Sequence, residues 1–213
     1  MGCLALLLPV LLVLPILFVL LLLNVITISL AKLGLSAESA LALLVAILIG
    51  SMINIPISRR RIRQEETRSP LSVVLFHRPP RVTEQVVAVN VGGAILPAAI
   101  AIYLLPHAPL LPTVVATGVV ATIARLIARP VPGTGIVMPA WIPPLASALL
   151  AFLLARQEPA PVAYISGTMG TLVGADLLNW PNFKKLRSHV LSIGGAGVFD
   201  GIFLAGIVAV LLT

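Results

Sequence analysis

The chain has 213 residues, 59% of them hydrophobic and 10% charged, with a mean hydropathy of +1.12. A soluble domain of this size has no use for so much apolar surface, so composition points to a polytopic helical membrane protein. The net charge of +7 comes from 14 Lys and Arg against 7 Asp and Glu, and seven of the basic residues share one loop between apolar segments. That clustering is a topology signal and argues against a nucleic-acid partner.

Seven spans are predicted, over 4–30, 38–57, 85–105, 113–129, 139–155, 162–179 and 190–212. The expected fold class is an all-α membrane protein with about seven transmembrane helices. The first span lacks the basic start and small-residue cleavage site of a signal peptide, so it is expected to be retained. Cys3 is the sole cysteine, which excludes an internal disulfide, and it reads as a small apolar residue. The loop 58–84 carries Arg59, Arg60, Arg61, Arg63, Arg68, Arg78 and Arg81, and Ser72–Phe76 within it is expected as a short strand or a surface-lying segment. Its arginines are expected to face anionic lipid, above all Arg59, Arg60 and Arg61.

Spans four and five are short, and Pro130, Pro132, Pro139, Pro143 and Pro144 interrupt the region between them, where a broken or re-entrant passage is expected. Trp141 and Trp180 are the best interfacial anchors. Placing the Arg-rich loop in the cytoplasm also places Arg125, Arg129, Lys184, Lys185 and Arg187 there. Only Lys32 and Arg156 then lie outside, a split of twelve to two. The N-terminus is therefore expected in the cytoplasm and the C-terminus outside, in the cell (inner) membrane. His77, His107 and His189 are dispersed in or beside loops, and no spacing suggests a metal site. Pro132-Gly133-Thr134-Gly135 lacks the Gly-Lys-Ser/Thr ending of a phosphate loop. No cofactor is expected.

The sequence resembles itself. Span two ends Gly50-Ser-Met-Ile-Asn54-Ile-Pro56 before Arg59–Arg61, and span six ends Gly174-Ala-Asp176-Leu-Leu-Asn179-Trp-Pro181 before Lys184-Lys185. Beyond each basic loop, Asn90-Val-Gly92-Gly93-Ala94 matches Ser192-Ile-Gly194-Gly195-Ala196. Upstream, Ala31-Lys32 closes span one as Ala155-Arg156 closes span five. The plan implied is a first three-helix repeat over 1–105, a linker span with its Pro/Gly-rich connection over 106–138, and a second repeat over 139–213. The repeats are parallel, an arrangement that puts a transporter's site at the repeat interface.

The only two aspartates, Asp176 and Asp200, both lie in apolar sequence of the second repeat. A carboxylate at membrane depth is costly unless paired, protonated or wet, which makes each a candidate site residue. Asp200 lies about ten residues into span seven, at most ~15 Å of helical rise from its start. The two acids are therefore expected at similar depth, facing one another across a cytoplasm-open pocket. Two such carboxylates share one proton, which suits either an aspartyl hydrolase or a proton-coupled carrier. Asn179, Asn54 and Asn90, with Gly194 and Gly195, are the expected substrate- or ion-binding neighbours. The glycines also permit close backbone approach.

Asp176 and Asp200 on consecutive spans, with a Gly-x-x-Asp end at Gly197–Asp200, resemble the presenilin and signal-peptide-peptidase class of intramembrane aspartyl proteases. Ala175 stands where that class has Tyr, Phe199 where it has the second Gly, and its Pro-Ala-Leu motif is absent after Asp200. The resemblance implies an acid–base aspartate pair acting on a transmembrane peptide. Over the whole chain, the strings Gly-Ala-Asp176-Leu-Leu-Asn179 and Gly194-Gly-Ala-Gly-Val-Phe-Asp200-Gly-Ile-Phe-Leu resemble a bacterial and archaeal membrane family, a domain of unknown function. Three readings stand: an intramembrane aspartyl protease, a small proton- or sodium-coupled transporter or channel, and a structural hydrogen-bonding pair. Beyond the lipid bilayer, the partner is accordingly a transmembrane peptide or a small ion or solute.

Overall fold

No charged residue interrupts the chain from Gly2 to Ala31, and Gly2–Lys32 forms one helix, α1, in which Asn24, Thr27 and Ser29 bond carbonyls one turn back. Gly34, at φ +81, ends it: Gly34 N–H donates to Ala31 O and Leu35 N–H to Leu30 O, the paired bonds of a glycine helix stop. Ser36 then caps α2 (Ala37–Ser51), its Oγ accepting from Ser39 N–H at 3.2 Å, with Glu38 in the first turn. The computed structural model describes residues 2–64, 81–131, 135–181, 190–195 and 201–213.

The chain next leaves the helical pattern. β1 (Asn54–Gln64) and β2 (Arg81–Asn90) form an antiparallel ribbon in which Asn54 faces Asn90 and Arg61 faces Glu84. The register shifts between Pro56 and Ser58, as expected where a residue without an N–H enters a ladder. β5 (Val190–Ile193) joins β2 in parallel, Val86 opposite Val190, giving the order β1-β2-β5. The expected all-α class is thereby narrowed to a mostly helical one, three span ends are corrected to strand, and residues 58–64 and 81–84 of the expected loop are strand as well. The cause is legible in Val82-Thr-Glu-Gln-Val-Val-Ala-Val89, which is β-branched and partly alternating. Apolar content alone does not separate such a run from a helix end. Ser72–Phe76 lies outside the described residues.

From Asn90 the chain enters a π-helical turn, π1 (Val91–Ile95), then α3 (Leu96–Leu104) and a 3₁₀ turn at Leu105–His107. α4 (Leu110–Ile127) follows. The proline-rich stretch is a small hairpin, β3 (Arg129–Val131) with β4 (Gly135–Val137), and α5 (Ile142–Leu154) starts with Pro143 and Pro144 in its first turn, where a missing N–H costs nothing. This replaces the expected broken passage. α6 (Pro159–Thr171) runs into a second π-helical segment, π2 (Leu172–Leu177), and α7 (Gly201–Leu212) closes the chain.

α6 is the central helix. Ten of its thirteen residues are buried, and it packs on α3, α4, α5 and α7. Small residues allow these approaches: Ala116, Ala151, Ala155, Ala163 and Ala209 form one cluster with Val162. Leu30, Leu44, Ile47, Leu104, Tyr164 and Ile207 belong to a second, which joins α1, α2 and α3 to α6 and α7. Lys32 Nζ donates to Val210 O and Leu211 O, both at 3.3 Å, satisfying carbonyls at the end of α7. The fold is thus mostly helical, with seven helices among the described residues.

By length and composition, Leu110–Ile127 qualifies as a membrane-crossing helix. A second candidate is the pair Val19–Lys32 and Ala37–Ser51, bent by 117°. Leu110, Leu111, Val114, Leu126, Leu149 and Phe152 are exposed on α4 and α5, an apolar outer face. Trp141 is exposed as an anchor would be, whereas Trp180 packs partly against Val87, Leu172 and Ile193.

Candidate functional site

The candidate residues converge where the sheet meets the helix ends. Asn90, the last residue of β2, is the hub. Its Oδ1 caps π1 by accepting from Gly93 N–H at 2.7 Å. Its Nδ2 donates to Ser51 O at 2.7 Å and to Asn54 Oδ1 at 3.2 Å. One side chain therefore ties together the end of α2, the start of β1 and the start of π1. Ser192, from β5, donates to the same Asn54 Oδ1 at 2.5 Å, which links the segment before residue 105 to the segment after 139.

Asp176 lies in π2 and is half-buried. Its Oδ2 accepts from Gly194 N–H at 2.8 Å. Gly194 has φ +68, and a Cβ there would come within 2.7 Å of Ala94 Cβ and of the Gly93 carbonyl carbon. Both the backbone conformation and the space therefore demand glycine. A Cβ on Gly195 would overlap the Ser192 hydroxyl and stand 2.9 Å from Asn90 Cβ. The two Gly-Gly segments are thus packed against one another, with Asn90 on one side and Asp176 on the other. Gly92 in turn fits against Ile47 O and Ser51 N of α2, and Gly174 against Ala121 of α4.

Asn179 stands apart from this cluster. It is fully buried just beyond π2, and its Nδ2 donates to Ala175 O at 2.8 Å and to Gly174 O at 3.4 Å. Its Oδ1 accepts from Arg125 Nη1 at 2.6 Å. Arg125, read from sequence only as an orientation charge, is thus coupled to the turn that carries Asp176. A cation two residues before the end of an apolar helix is the signal for it. Ser192 was legible too, as the residue aligned with Asn90.

Asp200 lies outside the described residues, and with it the expected face-to-face geometry of the two acids. Among the described residues Asp176 has no cationic partner. A carboxylate only accepts, so one N–H leaves it most of its capacity to take a proton or meet a cation. Among the described residues no group of three or more His, Cys, Asp and Glu is placed to hold a metal.

Residues 48–212 match a protein family described as "Protein of unknown function (DUF1614)". No curated protein and no solved structure matches the chain.

Proposed function

The chain belongs to this DUF1614 family, and we propose that it is a multi-pass membrane protein in which Asp176 binds a proton or sodium ion for coupled transport. One observation carries this reading: Asp176 and the Asn54–Asn90–Ser192 chain meet where residues from both halves of the sequence interlock, beside two π-helical breaks. Broken helices around a carboxylate at a repeat interface are the ingredients of ion-coupled carriers, and π segments concentrate at functional sites. On this reading the helical parts of all seven predicted spans are embedded, the N-terminus is cytoplasmic and the C-terminus external. The sheet then lies on the cytoplasmic side, with Arg59, Arg60 and Arg61 of the ribbon over anionic headgroups.

The test is ion flux in proteoliposomes loaded with a pH dye or with radioactive sodium. The wild type is expected to pass ion well above protein-free vesicles, and Asp176→Asn is expected to reduce that at least tenfold. Equal flux in both would refute a role for Asp176 in transport. For the ribbon, replacing Arg59, Arg60 and Arg61 by Gln should lower the anionic lipid that co-purifies; an unchanged lipid complement refutes that contact.

A second reading has its own support. Gly194 is bonded to Asp176, and Ile202 shares a packed cluster with Leu172 of π2, so the described residues on both sides of Asp200 are tied to the segment carrying Asp176. That favours an aspartate pair able to run acid–base hydrolysis of a transmembrane peptide. Cleavage of a model transmembrane peptide, abolished by Asp176→Asn and by Asp200→Asn separately, is the result this reading requires. Half-activity in either variant counts against it.

A further inference from the structure

α6 buries three hydroxyls that its packing does not explain. Tyr164 OH, Thr168 Oγ1 and Thr171 Oγ1 have no hydrogen-bond partner among the described residues, although the Tyr164 hydroxyl faces Thr168. All three residues are at most 1% exposed. An unsatisfied buried hydroxyl costs on the order of 1–3 kcal/mol, so three in one helix need a reason. Ser166 on the same helix shows the ordinary solution, donating to Val162 O at 2.7 Å.

The three hydroxyls are not scattered. Positions 164, 168 and 171 are spaced i, i+4 and i+7, one face of an α-helix. On a regular helix the next residue on that face would be Ala175. The helix is not regular there: from Leu172 to Leu177 it is π-helical, closing i to i+5, and Asp176 lies within that segment, five residues after Thr171. The carboxylate thus follows about one turn beyond the last hydroxyl on the same continuous helical segment. Opposite them α7 presents Gly206, where a Cβ would overlap Thr168 Oγ1 and come within 2.9 Å of Tyr164 Cε2. At the other end, the turn before α6 opens on a cavity of about 510 Å³ lined by His107, Pro109, Leu154, Arg156 and Glu158 among others. Tyr164 is five residues from Pro159, about 8 Å of helical rise, and long helical side chains lean toward the N-terminus. From Pro159 to Asp176 the line covers about 25 Å, close to the ~30 Å of a hydrocarbon core.

We infer that Tyr164, Thr168 and Thr171 form a proton route connecting the Arg156–Glu158 cavity to Asp176. This inference rests on the transport reading with the proton as the coupling ion. Each hydroxyl oxygen, with water in the intervals, accepts a proton from the cavity side and releases the one it held toward Asp176. The oxygens end as they began, and the carboxylate forms one O–H bond that breaks when the proton leaves toward the sheet.

The experiment is proton uptake by proteoliposomes under an imposed potassium diffusion potential. It compares the wild type, Asp176→Asn, the single variants Tyr164→Phe, Thr168→Val and Thr171→Val, and Ser166→Ala. The valines keep the volume and remove the hydroxyl. The route predicts at least a tenfold loss in Thr168→Val and Thr171→Val, a smaller loss in Tyr164→Phe at the cavity-side end of the row, and wild-type uptake in Ser166→Ala. Loss in Asp176→Asn with wild-type uptake in the three hydroxyl variants overturns the route and leaves Asp176 standing. Loss of equal size in Ser166→Ala also overturns it, because that hydroxyl is already satisfied. No uptake by the wild type, or wild-type uptake in Asp176→Asn, overturns the proton-coupled reading and the route with it.

Discussion

The two glycine-rich junctions start from similar sequence and are wired differently. In the first, Asn90 uses both faces of its amide, accepting from Gly93 N–H and donating to Ser51 O and Asn54 Oδ1. The amide is self-sufficient, and the junction closes on itself. In the second, the side chain that holds the glycine turn is a carboxylate, and Asp176 receives one N–H from Gly194. Asn179, the residue aligned with Asn54, is turned away to Arg125 and the carbonyls of π2. One half has become a lock, and the other keeps spare acceptor capacity at the same interface. On the proposed reading, the first junction serves stability and the second the chemistry.

The largest effects should come from breaking the lock sterically. Gly92→Ala and Gly174→Ala push a methyl into Ile47 O and Ala121 O, backbone atoms that cannot rotate away. Each should cost on the order of 3 kcal/mol or more, read as a fall in unfolding temperature in detergent. Gly118→Ala is the contrast: nothing lies within 4 Å of its added Cβ, and in mid-helix it should stabilise by roughly 0.5–1 kcal/mol. Next comes Asn90→Ala, which removes the π1 cap and two donated bonds and should cost about 2 kcal/mol in the same assay. Arg125→Ala withdraws the guanidinium from buried Asn179 Oδ1 and should cost about 1–3 kcal/mol. The smallest is Ser192→Ala, which removes one of two donors to Asn54 Oδ1 and should cost less than about 1 kcal/mol. If Ser192→Ala proves as damaging as Asn90→Ala, the first junction is not self-sufficient and the contrast between the halves fails.

Much of this site was legible in the sequence because it is made of residues that are conspicuous in apolar surroundings. Asn54, Asn90, Gly194 and Asp176 stand out by type, and the structure brings them to one place. The ribbon did not stand out, because Val86-Val-Ala-Val89 reads equally well as a helix end and a buried strand; only pairing with β1 and β5 decides it. The π segments are invisible to periodicity, since one extra residue per turn looks like noise in a uniformly apolar run. Tyr164, Thr168 and Thr171 do not stand out in the sequence, because single hydroxyls in membrane helices normally bond their own backbone, as Ser166 does. Asn179 stands out by type as well. Its side chain bonds Arg125 and the carbonyls of π2.

The central claim is that Asp176 serves ion coupling and is not merely a cap for Gly194. The most direct measurement is to follow Asp176→Asn by unfolding temperature and by proton uptake in the same preparation. An asparagine keeps an oxygen to accept from Gly194 N–H, so the account predicts an unfolding temperature unchanged within about 0.5 kcal/mol of stability and uptake reduced at least tenfold. Uptake at the wild-type level, or a collapse of folding that accounts for the loss, would contradict it.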